Sequence, residues 1–206
     1  MNRPLRTVLT GAAALALVLG SSLGVSSAAF ADELPESATV QLTFTGYDAE
    51  IAASNGYDVR TDAEGWQYAV PTGTPAGSTE GATPRFNPET GEVDSSGTAR
   101  NTVPGSCGTS TLTLYTKTSG YTAYNLNGAF GGSVFHAWNI TLSASTGATS
   151  VDRSGLPPFP GSLSWGTNFA YSVNASASGA TVYGVASGVV TTTLGTCTSG
   201  APRDSI

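Results

Sequence analysis

The chain has 206 residues, carries a formal net charge of −6, and contains Lys and His only once each, at Lys117 and His136. Ser, Thr, Gly and Ala dominate it, and helical bundles need Leu, Glu and Lys at helical spacing, so the composition favours β-structure with many turns. The acidic balance argues against a nucleic-acid partner, because phosphate binding needs a basic surface.

Residues 1–31 have the organisation of a secretory signal peptide. Two Arg residues form a basic head, a mostly apolar run covers Val8–Val25, and Ala29–Ala31 places small residues where signal peptidase cuts. We therefore expect cleavage after Ala31 and a secreted, extracellular protein. The alternative is an uncleaved amino-terminal membrane anchor. No later stretch is long and apolar enough to cross a bilayer, so the mature chain is expected to have no membrane span.

Residues 32–70 form a small acidic segment that is predicted to contain a strand, a short helix and a hairpin. Alternating apolar residues predict the strand, an N-capping Asp and a following Asn-Gly pair delimit the helix, and Gly65 suits a hairpin turn. The predicted bounds are Thr39–Phe44, Asp48–Ser54, and Tyr57–Arg60 with Trp66–Val70. The segment has too few large apolar residues to be stable alone.

Residues 71–105 are predicted to be a flexible linker. Five Pro residues are spread among Gly, Thr, Ser and Glu, and few large apolar side chains are present to offset the cost of ordering the backbone. Between Asp32 and Gly105 the chain carries twelve acidic and three basic residues, a net of −9. The alternative is an acidic pro-segment that is removed by cleavage at Arg85 or Arg100.

Residues 106–198 are predicted to be the main domain, an all-β antiparallel sandwich or small barrel. Period-two alternation puts one side of each strand in a core, and Gly-rich turns separate the strands. The predicted strands lie around Leu112–Leu114, Tyr121–Asn127, Val134–Leu142, Leu163–Val173, Thr181–Ala186 and Val189–Thr196. Gly155–Gly161 is predicted to be a loop because of its Pro content, and residues 199–206 to be a tail.

Cys107 and Cys197 are the only cysteines and bracket the main domain. In an exported protein such a pair is most simply a disulfide, here joining the first predicted strand of the domain to the last. One His and two bonded cysteines cannot assemble a transition-metal site, so neither a metal nor another cofactor is expected.

Candidate catalytic groups are few. His136 could act as a general base with Asp152 as its orienting acid and a hydroxyl as nucleophile. Its alternation with Val134 and Trp138 instead indicates a core histidine, which is the interpretation we favour. A glycosidase needs two facing carboxylates, and Asp152 is the only acid in the main domain. Whether the protein is an enzyme is therefore open, and the sequence favours a non-catalytic protein.

Aromatic and amide side chains are the positive indication of ligand binding. Exposed rings beside Asn residues can stack on sugars and bond their hydroxyls. The candidate binding residues are Tyr121, Tyr124, Asn125, Asn127 and Phe159. The alternative is that these rings fill the core and the amides serve turns.

Three functional hypotheses follow. The leading one is a secreted, non-catalytic β-domain that contacts a cell-envelope component, such as cell-wall polysaccharide or a surface protein. The second is a small secreted hydrolase centred on His136. The third is a secreted toxin or inhibitor whose acidic segment is removed. No oligomeric state is predicted.

Overall fold

The computed structural model describes residues 39–94, 106–173 and 179–206, and the predicted signal peptide lies outside them. The described chain is nearly all β, as predicted, with one short α-helix. In chain order the elements are β1 (Thr39–Tyr47), α1 (Ala49–Ser54), β2 (Tyr57–Thr61), β3 (Gln67–Pro71), β4 (Arg85–Phe86), β5 (Val93–Asp94), β6 (Ser106–Thr116), β7 (Ser119–Leu126), a 3-10 helix (Gly128–Phe130), β8 (Ser133–Ala144), β9 (Gly147–Asp152), β10 (Ser164–Ala170), β11 (Tyr183–Thr192), β12 (Gly195–Ser199) and β13 (Arg203–Ser205).

Among the described residues, the strands form a nine-stranded and a four-stranded sheet. The larger sheet is antiparallel, with the order β10-β7-β6-β1-β12-β11-β8-β9, and β13 pairs with the first residues of β11. It curls into a nearly closed barrel, which confirms the predicted fold class. The smaller sheet has the order β2-β3-β4-β5.

The first strand of the predicted acidic segment, β1, is part of the main sheet, whereas its hairpin, β2 and β3, belongs to the smaller sheet. β1 lies between β6 and β12 and is hydrogen-bonded to both. Its inward side chains Leu42 and Phe44 are fully buried in the common core. The alternation of side chains along β1 predicts which face of the strand is buried. It does not predict which strands lie beside β1, so only the strand itself could be predicted from the sequence.

The predicted helix and hairpin of this segment are present. The Asp48 carboxylate caps α1 by accepting hydrogen bonds from the backbone N–H groups of Glu50 and Ile51, each at 3.0 Å. β2 and β3 pair antiparallel along their whole length, with Tyr57 opposite Pro71 and Thr61 opposite Gln67. Gly65 has the positive φ that the turn between them requires. Local signals suffice here because capping and turn geometry depend on neighbouring residues.

The first part of the predicted linker, residues 71–94, is ordered, contrary to expectation. It contains β4 and β5, and it contributes Phe86 and Val93 to the core, where Phe86 packs edge-on against Phe44. The Tyr47 hydroxyl contacts Thr83 Oγ1 at 2.6 Å and donates to the Pro84 carbonyl at 2.5 Å. Two apolar anchors and specific polar contacts thus order a segment of low average hydropathy. Residues 95–105 lie outside the described part.

The core of the main sheet follows the predicted alternation in β8. His136, Trp138, Ile140 and Leu142 are buried there, while Ala137 is exposed. The strand β9 was not predicted from the sequence. β11 runs without a break through Ser187 and Gly188, where a turn was predicted.

Gly188 has a packing role in β11. A Cβ atom at this position would lie 2.6 Å from Cε3 of Trp138 and 2.3 Å from the Ala137 carbonyl oxygen. The glycine is therefore needed for close approach of β8 to β11, and it does not mark a turn.

The carboxyl-terminal residues are also part of the fold, although a tail was predicted for 199–206. β13 pairs with β11 from Tyr183 to Val185, and the Asp204 side chain is 4 % exposed. At the opposite end of the domain, Cys107 in β6 is bonded to Cys197 in β12, with their Cα atoms 6.0 Å apart. Closing a loop of this length stabilises the fold by about 4–5 kcal/mol in the chain-entropy account.

Candidate binding site at the closing loop

Residues 153–163, here called the closing loop, carry the chain from the edge strand β9 to the other edge strand, β10. Near its start, His136 and Gly155 exchange backbone hydrogen bonds of 2.9 and 2.8 Å. Near its end, the Ser133 N–H donates to the Ser162 carbonyl at 2.9 Å, and the Gly161 N–H donates to the Ser133 carbonyl at 2.8 Å. Both ends of the loop are therefore fastened to β8.

The tip of the closing loop, residues 156–160, has the sequence Leu-Pro-Pro-Phe-Pro. Pro157 is the buried residue of the tip, and the other four residues are exposed. Each Pro fixes its own φ angle. A short tip that contains three Pro residues and is fastened on both sides loses little conformational entropy when it binds a partner.

The side chains at the tip are apolar and exposed. Leu156 is 76 % exposed and Phe159 is 75 % exposed, the two highest values among the large apolar side chains of the described residues. Phe135, on the outer face of β8, and Leu163, at the end of the loop, are also exposed. Exposed apolar side chains on a loop that is fastened at both ends, with another on the strand that holds it, are typical of an interaction site.

The amide candidates lie near the end of the loop. Asn125 is exposed at the end of β7 and pairs in register with Ser164. Asn127 instead serves the fold, because its Oδ1 accepts a hydrogen bond of 3.1 Å from the Ala129 N–H and caps the 3-10 helix. Asn125 and Phe159 are thus the predicted binding residues that remain exposed.

The two tyrosine candidates lie on opposite faces of β7. Tyr121 is half-buried on the outer face, where its hydroxyl lies over Gly166 of β10 so closely that a Cβ atom there would be 2.1 Å away. Tyr124 is fully buried on the inner face and packs against Trp165, with ring centroids 5.4 Å apart. The prediction that Tyr124 binds a ligand at the surface is therefore corrected, because its ring belongs to the core.

His136 lies directly beneath the closing loop and is 1 % exposed. Its Nε2 donates to the Arg153 carbonyl oxygen at 3.0 Å, and its Nδ1 lies 3.2 Å from the Tyr124 hydroxyl. That hydroxyl donates its one proton to Ser133 Oγ at 2.9 Å. Burial lowers the pKa of His136, although the bond to Arg153 opposes this effect. The Nε2 hydrogen bond to Arg153 fastens the start of the closing loop to the core beneath it.

Asp152 does not orient His136. Its carboxylate accepts a hydrogen bond of 2.8 Å from the Ser154 N–H, and hydrogen bonds from Ser154 lower the pKa of the carboxyl group. His136 and Asp152 therefore do not form the predicted catalytic pair. His136 makes its contacts below the loop, and Asp152 makes its contacts at the start of the loop. Within the described residues, no group of three His, Cys, Asp or Glu side chains is arranged to hold a metal ion.

The exposed apolar residues of the site were only partly identified from the sequence. Phe159 was predicted, whereas Leu156, Leu163 and Phe135 were not selected as binding residues. The three Pro residues of the tip were a usable signal, because apolar side chains between Pro residues have no strand or helix in which to be buried.

The chain matches no family model, and no curated protein or solved structure is significantly similar to it. In the part of the chain that the structure describes, no helix has the length and apolar character needed to cross a membrane.

Proposed function

We propose that this protein is a secreted, non-catalytic binding module whose contact element is the tip of the closing loop. The observation that carries the proposal is the exposure of about three-quarters of both Leu156 and Phe159 on a loop that is fastened to β8 at both ends. Secretion rests on the composition of residues 1–31.

Energetic considerations support a binding role for this loop. Leaving two large apolar side chains in water forgoes roughly 1.5–3 kcal/mol each relative to burial. In typical interfaces a few anchor side chains, which fill pockets of the partner, contribute most of the affinity. The loop therefore has the properties of a preorganised anchor for an apolar pocket or groove.

The partner that fits this loop is a component of the cell envelope with an apolar recess, either a surface protein or a polysaccharide that offers the apolar face of a sugar ring. Phe159 can stack on such a face, and the exposed amide of Asn125 lies near the end of the same loop. The burial of His136 beneath the loop gives the hydrolase hypothesis no accessible base.

Co-sedimentation tests the proposal. The purified protein is mixed with insoluble polysaccharides, isolated cell walls and whole cells, and the pelleted fraction is measured. We expect pelleting with one target, and we expect Leu156→Ser and Phe159→Ser to weaken it at least about tenfold, as loss of an interface anchor does.

Tyr115→Ser is the matched control. Tyr115 is 56 % exposed on β6, away from the closing loop, so its replacement removes a similar apolar area without touching the loop. Binding that is lost equally in the Tyr115 and Phe159 variants, or no binding to any target, would overturn the proposal.

A further inference from the structure

The edge strand β10 carries no Lys, Pro or bulge, which are three of the features that usually protect a sheet edge. It pairs with β7 over seven residues without a register shift, and among the described residues β7 is its only partner strand. Its sequence, SWGTNFA, contains no charged residue and no Pro. Natural edge strands are commonly blunted by Lys, Pro or a bulge, and a regular, uncharged edge strand is a template for another strand.

The hydrogen-bonding pattern shows which peptide groups are available at this edge. Leu126 N–H donates to the Leu163 carbonyl, and Tyr171 N–H donates to the Thr118 carbonyl. Hydrogen-bonded pairs alternate along an antiparallel ladder, so the odd-numbered residues of β10 bond to β7. The peptide groups of Ser164, Gly166, Asn168 and Ala170 therefore point away from β7.

The backbone of β10 can pair with a second copy of itself about Thr167. If two copies of the strand pair antiparallel around this residue, all seven residues find a partner. Gly166 then forms a hydrogen-bonded pair with Asn168 of the second copy, and Ser164 forms one with Ala170 of the second copy. The outward peptide groups thus match without a change of register.

The same register places Thr167 opposite its own copy at a non-hydrogen-bonded position, where side chains approach most closely. Thr pairs are among the cross-strand pairs that stabilise sheets. Trp165 and Phe169 face the core of their own chain, where Phe169 is buried and Trp165 packs against Tyr124, so they add no contact to this pairing.

The other edge strand, β9, is less suited to self-pairing. The Arg153 N–H donates to the Trp138 carbonyl, so Ala148, Ser150 and Asp152 direct their peptide groups outward. Pairing around Ser150 would place the charged residue Asp152 opposite Ala148 at each end of the ladder, whereas β10 contains no charged residue.

We infer that two copies of this chain associate through β10, in an antiparallel pairing centred on Thr167, to form a two-fold symmetric dimer with one continuous sheet. The interface is isologous, as two-fold dimers require. A dimer of this kind carries two closing loops, so it would engage a repetitive surface bivalently. The inference does not depend on the identity of any ligand.

Sedimentation velocity across a concentration series tests the inference. We expect the purified protein to sediment as a dimer. Asn168→Pro removes the N–H that bonds to the second copy but leaves the ladder with β7 intact, because Pro is tolerated where its N–H position faces solvent. This variant loses two inter-chain hydrogen bonds per dimer, and we expect its dimer dissociation constant to rise at least about tenfold.

Ser150→Pro is the matched control, since it makes the same change at an outward position of β9. It should remain dimeric. Asn168→Lys provides a second test that retains the N–H and adds a charge at the edge, and we expect this variant to be monomeric. Far-UV circular dichroism shows that each variant is folded.

A wild-type protein that is monomeric at every concentration, or a folded Asn168→Lys variant that remains dimeric, would overturn the inference. Loss of the dimer on Ser150→Pro alone would assign the interface to β9 and would overturn it as well. If the protein were monomeric and bound a different protein through β10, self-pairing would likewise be excluded.

Discussion

The carboxylate of Asp204 accepts a hydrogen bond of 2.5 Å from the backbone N–H of Leu114, a residue ninety positions earlier in the chain. β1 pairs with β6 only as far as Thr111, so the later residues of β6 lie beyond the end of that ladder. β13 lies beside this part of β6, and a side chain performs there the role that a backbone carbonyl has in a regular ladder. The last residues of the protein are thus coupled to its central sheet.

We expect Asp204→Ala to lower the free energy of unfolding by about 1–3 kcal/mol, because it leaves a buried N–H without its acceptor. Asp204→Asn keeps an acceptor oxygen and should cost less. Urea unfolding followed by tryptophan fluorescence measures both. Equal stability of the alanine variant and the wild type would contradict the role that we assign to this carboxylate.

A second prediction concerns pH. The pKa of His136 is lowered in the folded state by burial, whereas in the unfolded chain it is about 6.5. Between these two values the unfolded state binds a proton that the folded state does not. Stability should therefore be fully present above about pH 6.5 and should decline as the pH falls below it, by at most about 1.4 kcal/mol per pH unit.

The variant His136→Gln removes this titration and serves as its control. Its stability should vary less than that of the wild type between about pH 6.5 and pH 5. Carboxyl groups with a lowered pKa, such as Asp152, lose their contribution only below about pH 4 and so do not obscure this window. Parallel slopes for the two proteins would refute the assignment to His136.

The fold class followed from the sequence because alternation is a local property. The buried and exposed faces of β8 could be assigned from residues such as Trp138 and Ala137 alone. Strand order could not be assigned, because nothing within Thr39–Tyr47 specifies that it lies between β6 and β12. Phe86 and Val93 were missed for a related reason, since two apolar residues in a polar segment carry no periodic signal.

The candidate site was predicted in part for similar reasons. Tyr121 and Tyr124 are three residues apart in one strand, so period two places them on opposite faces and only one can be exposed. The sequence did not identify which face is buried in β7, because Ala123 and Thr122 are both small enough for either side. Phe159 was identified because the surrounding Pro residues exclude it from a strand.

A third prediction concerns the acidic segment. A fragment that begins at Ser106 lacks β1, so it leaves β6 and β12 without their shared neighbour and loses Leu42 and Phe44 from the core. We expect this fragment to be unfolded or aggregated, since it exposes two sheet edges and a cavity in the core. Circular dichroism and solubility, compared with the longer chain that begins at Asp32, measure this.

Cooperative unfolding of the fragment from Ser106 would show that the acidic segment is dispensable for folding. That result would restore the hypothesis of an inhibitor or toxin with a removable piece. The burial of Leu42 and Phe44, at 0 % and 1 % exposure, argues instead that the segment remains with the domain.

The last prediction compares Gly132, which contacts the closing loop, with Gly155, which lies in it. A Cβ atom at Gly132 would lie 1.9 Å from the Gly161 carbonyl oxygen, whereas at Gly155 no atom lies within 4 Å. Gly132→Ala should therefore push the loop away from β8 and lower stability by about 1–3 kcal/mol, while Gly155→Ala should change it by less than about 0.5 kcal/mol.

Hydrogen exchange distinguishes loop displacement from general destabilisation in these two variants. The Gly161 amide donates to the Ser133 carbonyl, so its protection should fall in Gly132→Ala and stay unchanged in Gly155→Ala. Protection of Leu112, in the middle of β6, should fall only by the loss of global stability, so a larger loss at Gly161 marks displacement of the loop. If Gly132→Ala left the Gly161 amide fully protected, the close contact between Gly132 and the loop would not be what holds the tip in position.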